Sequence, residues 1–89
     1  MIRQQVTIIN KLGLHARAAA KLVATASEFE SSIQICKGSQ QVDAKSIMPV
    51  MMLAASKGTD LELNIEGPDE QQALDQLVAL INDYFGEGE

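Results

Sequence analysis

Residues 60–66 read Asp60-Leu61-Glu62-Leu63-Asn64-Ile65-Glu66, an unbroken alternation of polar and apolar side chains. In an extended chain successive side chains point to opposite faces, so this segment is a strand. Leu61, Leu63 and Ile65 face inward, and Asp60, Glu62, Asn64 and Glu66 face water. A strand solvated on one side implies a mostly antiparallel sheet with its second layer, of helices, on the apolar side only. Gly67-Pro68 then punctuates the chain, and Asp69 with Gln72 three residues on has the pattern of a capping box. The helix it opens is expected to run to about Phe85 and to bury Ala73 or Leu74, Leu77, Ile81 and Tyr84. Gly86-Glu87-Gly88-Glu89 reads as a frayed, acidic end.

Upstream, Arg3–Ile9 alternates as a strand, with Val6 and Ile8 on one face. Asn10-Lys11-Leu12-Gly13-Leu14 breaks the alternation and has turn chemistry. Ala16–Ser27 is helical by composition, with Ala19, Leu22, Val23 and Ala26 at core-facing spacing. Ser31–Lys37 alternates again, setting Ile33 and Ile35 inward and Cys36 on the open face. Lys37-Gly38-Ser39 turns the chain into a short strand at Gln40–Asp43. A second, shorter helix is expected over Ile47–Ala55, with Ser46 as N-cap, Pro49 in the first turn, and Val50, Leu53 and Ala54 buried. Lys57-Gly58 ends it. The order is βαββαβα. Periodicity alone suggests a ferredoxin-like plait with one extra helix and leaves the strand order open.

With 89 residues, the chain is a single domain, residues 1–89, with room for one modest core and not for a large buried cofactor. Its apolar stretches are too short to span a bilayer, and Met-Ile-Arg-Gln-Gln at the start lacks the apolar segment of a signal peptide. One Cys excludes an internal disulfide and a multi-cysteine metal site, and no ligand cluster or phosphate-binding glycine loop is present. No cofactor and no metal are expected, and the cytoplasm is the expected compartment. The net charge of −5 is unevenly spread. All seven Lys and Arg lie in residues 1–59, against Glu28, Glu30 and Asp43, while residues 60–89 hold nine acids and no base. Such a balance argues against nucleic acid as a partner and leaves a small anion for the N-terminal half.

His15, the only histidine, stands where the glycine-containing turn meets the first helix, beside Arg17. The first N–H groups of a helix have no partner within it, which makes an anion site of the amides of Ala16, Arg17 and Ala18. Arg17 presents a fork that fits phosphoryl oxygens. Nucleophile, amides and guanidinium together suggest phosphoryl chemistry at His15, against the plain reading of a surface or packing histidine. Ser46 is either an N-cap alone or also a phosphosite, since added charge at a helix N-terminus meets the dipole. Met48, Met51 and Met52, with Ile47, exceed what a short helix needs for its buried stripe. They are either core or a partner-docking surface.

Gly13-Leu14-His15-Ala16-Arg17-Ala18-Ala19-Ala20 resembles the active-site motif of the HPr family, the histidine-containing phosphocarriers of the bacterial phosphoenolpyruvate-dependent phosphotransferase system. Lys45-Ser46-Ile47-Met48-Pro49-Val50-Met51-Met52-Leu53-Ala54 is similar to the family's regulatory-serine motif, and the element order agrees along essentially the whole chain. The resemblance implies an α+β open-faced β-sandwich: a four-stranded antiparallel sheet with three helices on one face. It implies a stoichiometric carrier and not an enzyme, with His15 phosphorylated on Nδ1, Arg17 supporting the group and Ser46 as the regulatory position. Enzyme I would be the donor and Enzyme II A-type domains the acceptors. Docking would use Ala16, Ala20, Ile47, Met48, Met51 and Met52, the protein acting as a monomer, with a Ser46 kinase or phosphorylase as a further partner. A nitrogen-branch carrier, or a docking module read through Ser46, stays open beside sugar uptake. Many members have proline where this chain has Ala18, and Ala18 is expected to add a free N–H to the site.

Overall fold

Four stretches of alternating sequence meet in one sheet of the computed structural model, which describes residues 1–89. The chain runs β1 (Ile2–Thr7), α1 (Ala16–Ala26), β2 (Ser32–Lys37), β3 (Gln40–Asp43), α2 (Ile47–Met52), β4 (Asp60–Glu66) and α3 (Glu70–Asn82), followed by a 3-10 turn at Tyr84–Gly86. The strand order is β1-β4-β2-β3, and each neighbouring pair is antiparallel. The inner pair is thus β4 and β2, whereas a ferredoxin-like plait has its first and third strands inside. Pairing of Ile2 and Ile33 with Ile65, and of Ile35 with Leu63, gathers the apolar face. Those side chains share one core with Leu22, Val50, Leu77 and Ile81 from the three helices. On the other face Cys36 is half-buried and its Sγ accepts a hydrogen bond from Asn64 Nδ2 at 3.2 Å.

Several local expectations give way to tertiary contacts. Asp69 stands at the N-cap of α3, but its side chain makes no bond to that helix. Its carboxylate instead accepts from the Glu30 N–H (2.9 Å), the Ser31 N–H (3.0 Å) and the Ser31 hydroxyl (2.5 Å). Three donors outweigh the one that a capping box would offer. The same junction is closed by Gly67, where an added Cβ would lie 2.5 Å from Ser31 Oγ. The hydroxyl of Ser46 likewise leaves its helix uncapped. The second helix is shorter than expected: Leu53 ends it, Ala54 turns out with φ of 51°, and Ala55, not Ala54, is buried.

The third helix also stops early, at Asn82. Tyr84 and Phe85 then adopt left-handed φ values of 55° and 53°. That conformation costs about 1–2 kcal/mol per residue. It rotates Phe85 into the core at 0% exposure, in place of the expected Tyr84, and burying such a ring returns about 1.5–3 kcal/mol. The acidic end is not frayed. The Glu89 carbonyl accepts from the Lys11 N–H at 3.1 Å, and Glu87 reaches the first helix.

None of the three helices has a base in its last turn. Lysines from elsewhere supply the missing donors: Lys45 Nζ to the Phe29 carbonyl past α1, Lys37 Nζ to Leu53 at the end of α2, and Lys21 Nζ to Phe85 after α3. Each places a cation where the helix dipole is negative and a carbonyl lacks a partner.

The hydrogen bond from the Ser31 hydroxyl, followed by the Glu30 amide, holds the Asp69 carboxyl below its ordinary value of 3.8. A depressed carboxyl stabilises the fold at pH values above the unfolded pKa and stops doing so as pH falls through the folded one. Asp69→Ala should therefore melt below the parent above roughly pH 5 and converge with it as acid protonates the carboxylate. Thermal melts at stepped pH check this; a gap that widened toward low pH would contradict it.

Candidate functional site

The turn before α1 is built around two residues. Gly13 has φ of +68° and passes so close to the chain after α2 that a Cβ would lie 2.6 Å from the Ala55 carbonyl. Only glycine fits both conditions. Beside it the Leu14 N–H donates to the same carbonyl at 2.7 Å, and the Ile8 carbonyl accepts from Gly58. Asn10 is fully buried, and its Nδ2 donates to the Gly13 carbonyl at 2.7 Å and to Glu87 Oε1 at 2.9 Å. With acceptors on both sides of the NH2 group, the amide has one sensible orientation, which leaves Oδ1 without a partner.

His15 follows as the N-cap of α1, in extended conformation. Its Nδ1 accepts a hydrogen bond from the Arg17 N–H at 3.3 Å, and its Nε2 contacts Glu87 Oε2. Accepting at Nδ1 requires a lone pair there, so in the neutral ring the proton sits on Nε2, facing the carboxylate. The His15 side chain is 26% exposed and that of Glu87 10%. Hydrogen bonding from Asn10, then the imidazole bond and the charges of His15 and Arg17, hold the Glu87 carboxyl below its ordinary value of 4.5, against the opposing effect of burial. Near neutral pH Glu87 is therefore an anion that can only accept.

Of the amides expected to cradle an anion, those of exposed Ala16 and Arg17 lie at the surface. Ala18 is fully buried, so it adds no accessible N–H; its methyl belongs to the core. Arg17 lines a shallow depression of about 330 Å³ with Leu12, Lys21, Gly86, Glu87 and Glu89. Ala20 is exposed on α1. Helix α2 packs against α1 and turns out Ile47 (36% exposed), Met48 (64%), Met51 (36%) and Met52 (72%). The methionines are thus not core. Ser46 is half-buried at the start of that helix. A larger groove of about 680 Å³ between β1 and α3 contains none of these residues.

A family model described as the PTS HPr component phosphorylation site matches residues 2–83. The chain belongs to the HPr family. It is similar to the phosphocarrier protein HPr of Cupriavidus necator, with 57% identity over the whole of both chains, and to that of Neisseria meningitidis, with 55% identity over the same span. Its fold matches the crystal structure of an HPr from Thermoanaerobacter tengcongensis at a TM-score of 0.94 and 48% identity, covering 98% of each chain. An HPr structure from Bacillus anthracis follows at 0.86 and 39%, covering 90% of this chain and 95% of that one. Membership makes the protein a phosphocarrier of the phosphotransferase system, with an HPr-type α+β fold.

Three site neighbours of this HPr-family chain escape a local reading. Glu87 lies 72 residues from His15 and Asn10 lies 77 from Glu87. Leu12, 68% exposed in the turn, is masked by its apolar type. The one available signal was the concentration of acids in the C-terminal third opposite a remainder that holds every Lys and Arg.

Gly13→Ala should cost roughly 2 kcal/mol or more, from the left-handed φ and the overlap with Ala55. Denaturant titration should show that loss, and phosphoryl acceptance should slow, because the displaced loop carries His15. An unchanged midpoint would mean the turn tolerates a Cβ.

Proposed function

We propose that His15 accepts a phosphoryl group on Nδ1 from phosphorylated Enzyme I and passes it to an Enzyme II A-type domain. The observation that carries this reading is the orientation of Nδ1 toward the Arg17 amide, its hydrogen-bond donor at the start of α1. The Nδ1 lone pair attacks phosphorus, and the bond to the donor's leaving atom breaks with its electron pair going to the donor. The Arg17 N–H, released from Nδ1, turns to a phosphoryl oxygen, and the Ala16 amide offers a second donor. The Arg17 guanidinium takes the remaining charge in its fork. In the reverse sense an acceptor nucleophile attacks phosphorus and the electron pair of the P–N bond returns to Nδ1. In this reading the protein is a stoichiometric carrier, not an enzyme, and acts in the cytoplasm as a monomer. No helix is long and apolar enough to cross a membrane.

Ala16, Ala20, Ile47, Met48, Met51 and Met52 form the docking surface used in turn by donor and acceptor. Their exposure beside His15's helix supports it, and unbranched methionine adapts to more than one partner. Ser46 regulates that surface as the target of a kinase and phosphorylase. Its free hydroxyl supports this, because modification there breaks no cap.

Incubation with phosphoenolpyruvate and Enzyme I should put an acid-labile, alkali-stable label on the protein. His15→Ala should take none, and a fully labelled His15→Ala protein would sink the proposal. Arg17→Ala should slow transfer and Arg17→Lys recover only part, because a point charge lacks the bidentate fork. Both should fold as the parent does.

Phosphate at Ser46 adds about −1.5 to −2 charge at the start of α2. The dipole gains about 0.3–1 kcal/mol, whereas desolvating an unpaired charge on docking costs several. Ser46→Asp should keep or raise the melting temperature and slow transfer from Enzyme I mainly through KM. Transfer at the parent's rate would show that α2 is not the docking surface.

A further inference from the structure

Both oxygens of the Glu87 carboxylate are bonded, Oε1 by Asn10 Nδ2 and Oε2 by His15 Nε2. The backbone that carries it is fastened on either side, at Phe85 by Lys21 Nζ (2.7 Å) and at Glu89 by the Lys11 N–H (3.1 Å). Asn10 is in turn fixed by the Gly13 carbonyl. A chain of hydrogen bonds thus runs from the turn, through a buried amide and a carboxylate, to the ring nitrogen opposite the one that faces Arg17.

The geometry points to Glu87, oriented by Asn10, as a positioning residue that selects the reactive tautomer of His15 and holds a proton on Nε2 throughout phosphoryl transfer. This rests on the reading of His15 as the phosphoryl acceptor. A neutral imidazole has one N–H and one lone pair. A carboxylate can only accept, so it draws the N–H to Nε2 and leaves the lone pair on Nδ1. When Nδ1 attacks phosphorus, the Nε2 proton stays in place and the phosphorylated ring is a cation balanced by Glu87. In the onward step the P–Nδ1 bond breaks with its electrons going to Nδ1, and the ring departs as neutral imidazole, still carrying the Nε2 proton. Had that proton been lost, the leaving group would be an imidazolate, a far stronger base and so a poorer one. The logic is that of a carboxylate orienting a catalytic imidazole in a triad.

Asn10 makes the consequence of one substitution specific. In Glu87→Gln the Asn10 NH2 still requires an acceptor and takes the glutamine oxygen. The glutamine NH2 is then left facing Nε2, which must supply the lone pair, and the proton moves to Nδ1, the nucleophilic position. Glu87→Ala removes the acceptor without supplying a donor and leaves the long Arg17 N–H bond to Nδ1 (3.3 Å) as the only bias, so that both tautomers are sampled. The isosteric variant should therefore be the worse of the two, the reverse of what loss of packing would give.

The test is long-range proton–nitrogen NMR of the unphosphorylated full chain with 15N-labelled histidine, at alkaline pH where the ring is neutral. Initial rates of labelling by phosphorylated Enzyme I are measured on the same samples, with thermal melts to confirm that both variants are folded. The parent should show the Nε2–H tautomer. Glu87→Gln should show the Nδ1–H tautomer and a rate down by at least about tenfold; Glu87→Ala should show a mixture and a smaller loss. An Nε2–H ring in Glu87→Gln, or a rate for Glu87→Ala below that for Glu87→Gln, would overturn the assignment. Failure of the acceptor reading itself registers separately, as full labelling of His15→Ala whatever the tautomer.

Discussion

One buried side-chain amide holds the reactive end of this molecule together. Asn10, with no exposed surface, gives one N–H to the Gly13 carbonyl and the other to Glu87. The first bond closes the turn and fixes where α1 begins, because Leu14 is already committed to the Ala55 carbonyl one residue later. The second draws the C-terminal stretch across to the same place. The unpartnered Oδ1 is the cost, on the order of 1–3 kcal/mol for a buried acceptor without a donor. A core residue at position 10 would avoid that cost, but it would take from the Gly13 carbonyl and from Glu87 Oε1 their side-chain donor.

The division of charge along the chain has a structural meaning that follows from this. Lys21 and the Lys11 amide secure the acidic end, while Lys37 and Lys45 finish helices α2 and α1. Three of the seven basic side chains are thereby spent within the fold on carbonyls, and Lys11 takes part through its main chain alone. Arg17 is the cation next to His15 that is left exposed, and its charge is felt by Glu87. A site with one free guanidinium suits a single anionic group and would be weak toward a polyanion such as nucleic acid, whose binding needs many neutralising contacts.

What could be read from residues alone followed sequence distance. Strand β4 was legible because its seven residues alternate without exception and both its faces have one fate. His15 and Arg17 were legible because turn, histidine and helix start are adjacent. Asp69 was misread because a capping box is a local pattern, whereas the donors that claim its carboxylate sit 38 and 39 residues away. Phe85 replaced Tyr84 in the core because a helical period was extended past a left-handed turn that no nearby glycine announced before position 86. Glu87 was invisible for the reason that Asn10 was. A charged residue between two glycines looks solvated until a buried donor on the far side of the sequence is placed against it.

The site is shallow, and its shallowness fits a carrier. A phosphoryl group on Nδ1 would meet exposed amides, one exposed guanidinium and the end of a helix dipole. The dipole contributes about 0.3–1 kcal/mol. An exposed ion pair adds about 0–1 kcal/mol. Together these change an equilibrium by at most a factor of about thirty, at 1.36 kcal/mol per tenfold. A buried, fully satisfied phosphate would be held far more tightly, and the group would then stay where it was put. A carrier must be neither sink nor barrier, so its protein contacts should orient the group rather than hold it. Burying Asn10 and Glu87 behind the ring, and leaving Nδ1 toward solvent-exposed backbone, separates those two tasks. Rigidity is thereby placed on the nitrogen away from the proposed phosphoryl position, and openness on Nδ1, the proposed acceptor.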